Sequence, residues 1–353
     1  YTKQHLYRII SIYKAKLRSR MRTLSETQFS ILELAPVRED QTVQLTLQHS
    51  LKLAQQAERL GYSRLWLAEH HNMDGIASSA TAVLLGYLLA NTSTLKVGSG
   101  GIMLPNHAPL IVAEQFGTLA TLYPNRIELG LGRAPGTDQV TMRALRRGRQ
   151  ETEDQFPQDV LEILHYFKDA EPNQRIIATP GQGTHVPVWL LGSSLFSAQL
   201  AAKLGLPYSF ASHFAPRMLK QAIQLYRENF EPSEYLSKPY VSMGVPTVVA
   251  ETDAEAEYLA TSAYQRVLGL MRGQSLKLKA PIASMDGLWS PAEKMSVDSF
   301  YAMAQIGSNG TVKEGLKQLL LEYDVDEFIF TCDIYDTDKR LENFERLMQI
   351  KNN

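Results

Sequence analysis

The chain reads Trp66-Leu67-Ala68-Glu69-His70-His71-Asn72 where a short apolar run ends in a carboxylate and two adjacent imidazoles. In a barrel of parallel strands the active site lies at the carboxyl ends of the strands, which is where such a run places its polar groups. Successive residues of a strand point to opposite sides, so the two histidines would not face one ligand. This spacing disfavours a two-histidine metal site and predicts no bound metal. A single histidine at a strand end can instead act as an acid or base near neutral pH.

Similar short apolar runs recur along the chain, and a longer helical pattern follows each of them. The predicted strands are Phe29–Ala35, Leu65–Ala68, Leu95–Met103, Ile127–Leu131, Val188–Leu191, Tyr208–Ala211, Val241–Val249 and Glu327–Cys332. Eight strands that alternate with helices favour an α/β fold of the (β/α)8 TIM barrel type over an open doubly wound sheet.

Two connections are longer than a barrel needs. Residues 134–155 form a basic insertion after strand four, and residues 271–326, after strand seven, include the stretch Arg272–Pro281 and an extra helix near Val312–Glu322. Long connections between strand and helix often cover active sites in barrels. Each insertion is therefore either a lid or a solvated loop.

Composition indicates one large globular domain. The 353 residues are 44% hydrophobic and 21% charged, and the formal net charge of -1 gives no electrostatic argument for binding nucleic acid or a membrane. All charged residues within positions 1–20 are basic. We expect residues 1–22 to be an extension outside the fold and residues 23–353 to form the barrel. Residues 1–20 could also be an amphipathic helix at an anionic surface or a targeting peptide.

The only cysteine, Cys332, lies in an apolar run, so we expect a small buried residue rather than a nucleophile. A disulfide within the chain is impossible, which is compatible with a reducing, cytoplasmic location. No segment approaches the ~18–20 unbroken apolar residues of a membrane span.

Three more motifs fall at predicted strand ends. Gly98-Ser99-Gly100-Gly101 suggests a flat ring lying against the strand, or else a bulge or tight barrel corner. Arg133, in Gly130-Leu131-Gly132-Arg133, is suited to a phosphate group. Gly192-Ser193-Ser194 precedes a helix, so its serines could bind an anion or simply cap that helix.

Together these motifs resemble the bacterial luciferase-like family of flavin-dependent monooxygenases, in a single-chain subgroup similar to the alkanal monooxygenase chains. The resemblance runs from about Phe29 to the C-terminus. It is also carried by Asn125–Arg133, by Leu104-Pro105-Asn106-His107 and by Ala211–Pro216.

The resemblance implies particular roles for the motif residues. His70 would be the catalytic acid or base beside the flavin, and a non-proline cis peptide between Gly100 and Gly101 would carry the ring. The FMN phosphate would be held by Arg133, Ser193, Ser194 and Ser197. Two residues depart from luciferase: Gly132 replaces a reactive cysteine, and Ser193 replaces a glutamate of the phosphate loop.

The family also implies a small organic substrate, O2, and reduced FMN from a separate flavin reductase, because no dinucleotide-binding motif is present. A homodimer is expected. His107 and His213 are second-rank candidates, and for each of them a structural role is favoured over a catalytic one. The rival functions are a non-catalytic flavin-binding relative and a barrel enzyme for a phosphorylated sugar, and a deazaflavin is a further option for the cofactor.

Overall fold

Eight parallel strands close into a barrel in the computed structural model, which describes residues 22–146 and 155–353. Each strand pairs with the next, and the last pairs with the first. The barrel strands are β1 (Gln28–Glu33), β2 (Arg64–Leu67), β3 (Lys96–Met103), β4 (Ile127–Gly132), β5 (Val188–Gly192), β6 (Tyr208–Phe210), β7 (Val241–Ala250) and, after a short β8 (Gln305–Ser308), β9 (Glu327–Thr331). The predicted (β/α)8 barrel and all eight predicted strands are confirmed. Their nearly continuous burial is typical of parallel strands covered on both faces.

Helices connect these strands, and most of them pack against the outside of the sheet. They are α1 (Val43–Leu60), α2 (Thr81–Ala90), α3 (Pro109–Leu122), α4 (Gln139–Arg146), α5 (Phe156–Phe167), α6 (Leu195–Leu204), α7 (Leu219–Glu228), α8 (Asp253–Met271), α9 (Pro291–Phe300), α10 (Asn309–Tyr323) and α11 (Thr337–Asn352). Within the described ranges, no helix is both long enough and apolar enough to cross a membrane.

The long connection after β7 contains more structure than the sequence predicts. The extra helix is confirmed as α10, but α9 and the strand β8 were not predicted. β8 pairs only with the end of β7, at Thr247–Ala250, beyond the part of β7 that pairs with β9, so it lies outside the barrel.

The barrel interior is filled by aromatic side chains. Trp66 on β2 and Trp189 on β5 meet edge to face with their ring centroids 5.0 Å apart. Two strands separate β2 from β5 in the sheet, so this contact crosses the interior. Nearer the amino ends of the strands, Arg64 donates to Glu128 at 3.0 Å and lies 3.2 Å from Glu327. The interior is thus a packed core.

Residues 1–21 and 147–154 lie outside the described residues, so the expected N-terminal extension stays a prediction. Arg22 forms an ion pair with Asp326 at 2.6 Å and donates to Val325 O at 3.2 Å. Cys332 is buried, as predicted, and its burial raises the pKa of the thiol to about 12.

Candidate active site

Glu69 follows β2 and is almost completely buried. Its Oε1 accepts hydrogen bonds from His71 Nε2 and His107 Nε2, each at 2.8 Å, and its Oε2 accepts from Met103 N at 3.0 Å. Burial alone would raise the pKa of Glu69, but the hydrogen bonds from His107, His71 and Met103 outweigh it and lower the pKa to about 2. A charged Glu69 therefore ties the end of β2 to the end of β3.

This cluster was not predicted, because His107 follows a different strand from Glu69 and His71. The three groups could together hold a metal ion, since their candidate ligand atoms all lie within 4.8 Å of one another. The hydrogen bonds already satisfy the carboxylate without one. That the protein uses no metal stays a prediction.

His70 has different surroundings from His71, as strand geometry predicts. Its ring lines a cavity at the mouth of the barrel. Nδ1 is buried and makes no hydrogen bond within the described part of the chain. Burial, and then the positive charge of Arg266, lowers the pKa of His70 to about 4. The imidazole is therefore neutral at pH 7.

His213, which follows β6, lines the same cavity. Its Nδ1 lies against Gly244 on β7, where a Cβ would come within 2.3 Å, and finds no hydrogen-bond partner among the residues described. Burial, and then the neighbouring His70, lowers the pKa of His213 to about 3. The ring of His107 is hydrogen-bonded to Glu69, whereas Nδ1 of His213 has no hydrogen-bond partner among the described residues.

The cavity between these histidines has a volume of about 230 Å³. Most of its lining is apolar, contributed by Met73, Ile76, Val267, Leu270, Leu276 and Phe300. Its polar end is the ion pair between Arg266 Nη1 and Asp333 Oδ1, at 2.8 Å.

The stretch Arg272–Pro281 is packed against the loop that follows β2. Asp74 Oδ1 accepts from Leu276 N at 2.8 Å, and its other carboxylate oxygen accepts from Ser275. Leu276 reaches the cavity. Leu276 thus lies against the cavity while most of the stretch is exposed, and whether the stretch acts as a lid stays a prediction.

The glycines of β3 are explained by packing inside the protein. A Cβ at Gly98 would lie 2.9 Å from Trp66 Nε1, and one at Gly100 would lie 2.8 Å from Leu32 Cδ1. The pairing of β3 with β4 also shifts register between Ser99 and Ile102, which fits the bulge alternative. The peptide bond between Gly100 and Gly101 is cis, as the family resemblance implies.

Arg133 and the serine loop lie together at the ends of β4 and β5. The guanidinium of Arg133 stacks over the ring of Phe196, in the first turn of α6, at 4.3 Å from its centroid. Ser194 is the N-cap residue of α6, but its side chain makes no capping hydrogen bond. The hydroxyl of Ser197 is directed inward and donates to Ser194 O at 3.1 Å. The positive side chain and the helix N-terminus thus lie side by side.

The comparison with known proteins agrees with this geometry. The model of the family described as luciferase-like monooxygenase matches residues 27–322. The chain belongs to this family. A luciferase-like monooxygenase of Escherichia coli strain K12 is 53% identical over 323 residues, which cover 92% of this chain and 96% of the relative. The chain is thus an enzyme of the luciferase-like monooxygenase kind.

Two further proteins are similar to this chain at lower sequence identity. The N-acetyl-S-alkylcysteine monooxygenase of Bacillus subtilis strain 168 is 34% identical over 308 residues, covering 86% of this chain and 91% of the relative. The crystal structure of apo-MsnO8 superposes with a TM-score of 0.86 at 32% identity, covering 92% of this chain and 98% of that one.

The polar end of the cavity was missed by the sequence analysis of this luciferase-like monooxygenase. Asp333 follows the last barrel strand, so the rule that strand ends carry functional groups could have found it. Arg266 lies within α8 and gives no comparable signal. Only the folded chain shows that the two residues meet.

Proposed function

We propose that this protein is a monooxygenase that uses reduced FMN and O2 to oxidise a small organic substrate, with His70 as its acid or base. The observation that carries the proposal is the placement of His70. Its imidazole faces a mostly apolar cavity at the carboxyl ends of the strands, and its Nδ1 forms no hydrogen bond within residues 22–146 and 155–353. Polar groups left without partners at such a site mark candidates for catalysis.

The residues at the ends of β4 and β5 fit a flavin phosphate. Arg133 would supply a permanent charge, and Ser193, Ser194 and the first N–H groups of α6 would supply hydrogen bonds. Ser197, whose hydroxyl donates to Ser194 O, would stabilise the turn that leads from β5 into α6. The flavin ring would lie near Gly100 and Gly101.

Reduced FMN, when bound, supplies the electrons that activate O2. The protein's own contribution is to position the substrate and to exclude water, for which the apolar cavity and the Arg272–Pro281 lid are suited. A neutral His70 can accept a proton at its ring or donate a hydrogen bond from it. Glu69 does not bond to His70 and would act only by holding the β2 and β3 ends together.

The test compares His70→Ala with His185→Ala, a matched change at an exposed histidine. Each protein is mixed with chemically reduced FMN, and flavin reoxidation by O2 is followed by stopped-flow absorbance, while FMN affinity is measured separately. We expect His70→Ala to bind FMN normally but to change the reoxidation kinetics by about tenfold or more, because acid–base catalysis contributes ~10²–10⁴-fold. Unchanged kinetics with normal FMN binding would remove His70 from the mechanism and favour a non-catalytic flavin-binding protein. Failure to bind FMN would favour a deazaflavin enzyme or one acting on a phosphorylated sugar.

We also propose that a separate reductase supplies the reduced flavin. The described residues form one barrel and no second, dinucleotide-binding unit. With NADH and FMN alone, the protein should consume NADH no faster than buffer does, and adding a flavin reductase should start turnover.

We further propose that the enzyme is a cytoplasmic homodimer. The free, buried thiol of Cys332 is compatible with a reducing compartment. Apolar side chains exposed on α2 and α3, including Val83 and Ile111, support an interface between two copies.

A further inference from the structure

We propose that the cavity beside His70 selects an uncharged substrate and that the ion pair between Arg266 and Asp333 sets this selectivity. The inference rests on the proposed function and narrows its substrate class.

Apart from the two histidines, Arg266 and Asp333 are the only acidic or basic side chains among the described residues that line the cavity. Their 2.8 Å contact cancels both charges locally. Arg266 also donates from Nη2 to Gly75 O at 3.3 Å, so it is held between Asp333 and the loop after β2. An arginine compensated in this way offers little attraction to a second anion.

The two imidazoles add hydrogen-bonding capacity without adding charge. Burial keeps the pKa of both His70 and His213 well below 7, so both rings are neutral under physiological conditions. A polar atom of the substrate can hydrogen-bond to these rings. A carboxylate, in contrast, would lose its hydration and find no unpaired positive charge, which is costly.

The apolar lining also bears on the substrate class. A cavity of about 230 Å³ with mostly apolar walls suits a small organic molecule. The favoured ligand is therefore a short, mostly apolar molecule with one uncharged polar group.

The first experiment measures binding to the flavin-free wild-type protein by isothermal titration calorimetry at pH 7. The probes are methyl pentanoate and hexanoate, which have the same number of non-hydrogen atoms and differ in charge. We expect the ester to bind about tenfold or more tightly than the carboxylate. Equal affinities, tighter hexanoate binding or no binding of either probe would overturn the proposal. Because no flavin is present, the result does not depend on the proposed monooxygenase activity.

The second experiment removes the negative charge from the ion pair that lines the cavity. Asp333→Asn leaves Arg266 uncompensated and should improve hexanoate binding about tenfold or more relative to the ester, because hydrogen bonds to charged groups are strong. The matched control is Asp40→Asn, which breaks the exposed pair between Arg38 and Asp40. The control should keep the wild-type preference.

A third variant covers the case in which Asp333→Asn does not fold. Arg266→Met leaves only the carboxylate of Asp333 and should weaken hexanoate binding further relative to the ester. If neither variant moves the preference between the two probes, the ion pair does not set selectivity.

Discussion

Arg133 at the end of β4 stacks over Phe196 in the first turn of α6, with its guanidinium carbon 4.3 Å from the ring centroid. The contact holds a positive charge beside the helix N-terminus. We predict that Arg133→Leu raises the dissociation constant for FMN about 10–100-fold, the range expected for lost hydrogen bonds to a charged group. Riboflavin, which lacks the phosphate, should bind the variant as well as it binds the wild type. Fluorescence titration measures both affinities, and Arg175→Leu, at an exposed loop residue, is the control. An equal loss for riboflavin would contradict a phosphate role.

Removal of the Glu69 carboxylate should destabilise the fold. Glu69→Ala leaves His71, His107 and the Met103 amide without their acceptor, and we expect the free energy of unfolding to fall by about 3 kcal/mol. Urea denaturation followed by circular dichroism provides the measurement. Glu39→Ala, at an exposed position, should change it by less than about 0.5 kcal/mol. A loss below about 1 kcal/mol for Glu69→Ala would show that this cluster does not stabilise the strand ends.

The buried imidazoles predict a pH dependence of stability. The folded-state pKa values of His70 and His213, about 4 and about 3, lie below the ordinary histidine value, so the unfolded chain takes up protons first as the pH falls. The free energy of unfolding should therefore decrease from about pH 6.5 towards pH 4, by roughly 3 kcal/mol for His70 alone. Besides burial, the positive charge of Arg266 and the neighbouring His71 also lower the pKa of His70. The negative charge of Glu69 acts in the opposite direction and raises it.

The matched variants for this pH dependence are His70→Gln and His185→Gln. The first should reduce the decrease by about half, because His213 still contributes, and the second should leave it unchanged. Glu69 acts in a lower range, because its stabilising charge is lost only as the pH falls from about 4.5 through about 2. If stability is constant between pH 6.5 and 4, His70 is not buried in solution as it is in this structure.

The proposed dimer can be broken at a single exposed side chain. Val83 on α2 is 77% exposed, and Val140 on α4 is 75% exposed. We predict that Val83→Glu converts a dimer to a monomer, because a buried unpaired charge opposes association. Val140→Glu should leave the dimer intact. Size-exclusion chromatography with light scattering distinguishes the species, and a wild-type monomer would overturn the proposal.

The barrel could be predicted because its strands are buried on both faces and therefore appear as uninterrupted apolar runs. β8 could not, since Gln305–Ser308 has only one fully buried residue and resembles a loop. Helix α9, in contrast, has a recognisable start signal in the sequence. Its N-cap Ser290 and Glu293 form a capping box, and Pro291 stands at the first helical position.

Candidate site residues can be proposed from the sequence where they lie near the end of a strand, as His70 and Arg133 do, and their roles stay predictions. The shared hydrogen bonds of Glu69 depend on the position of His107, and the pair of Arg266 with Asp333 joins a helix to a strand end 67 residues away in sequence. Such contacts depend on how the elements pack, which local patterns do not encode.

The contact of Trp66 with Trp189 across the barrel affects where a ligand can lie along the barrel axis. The two buried indoles fill the barrel axis at this level. A ligand in the cavity beside His70 would therefore lie on the carboxyl-end side of this aromatic layer, next to Leu276, whose backbone amide is held by Asp74.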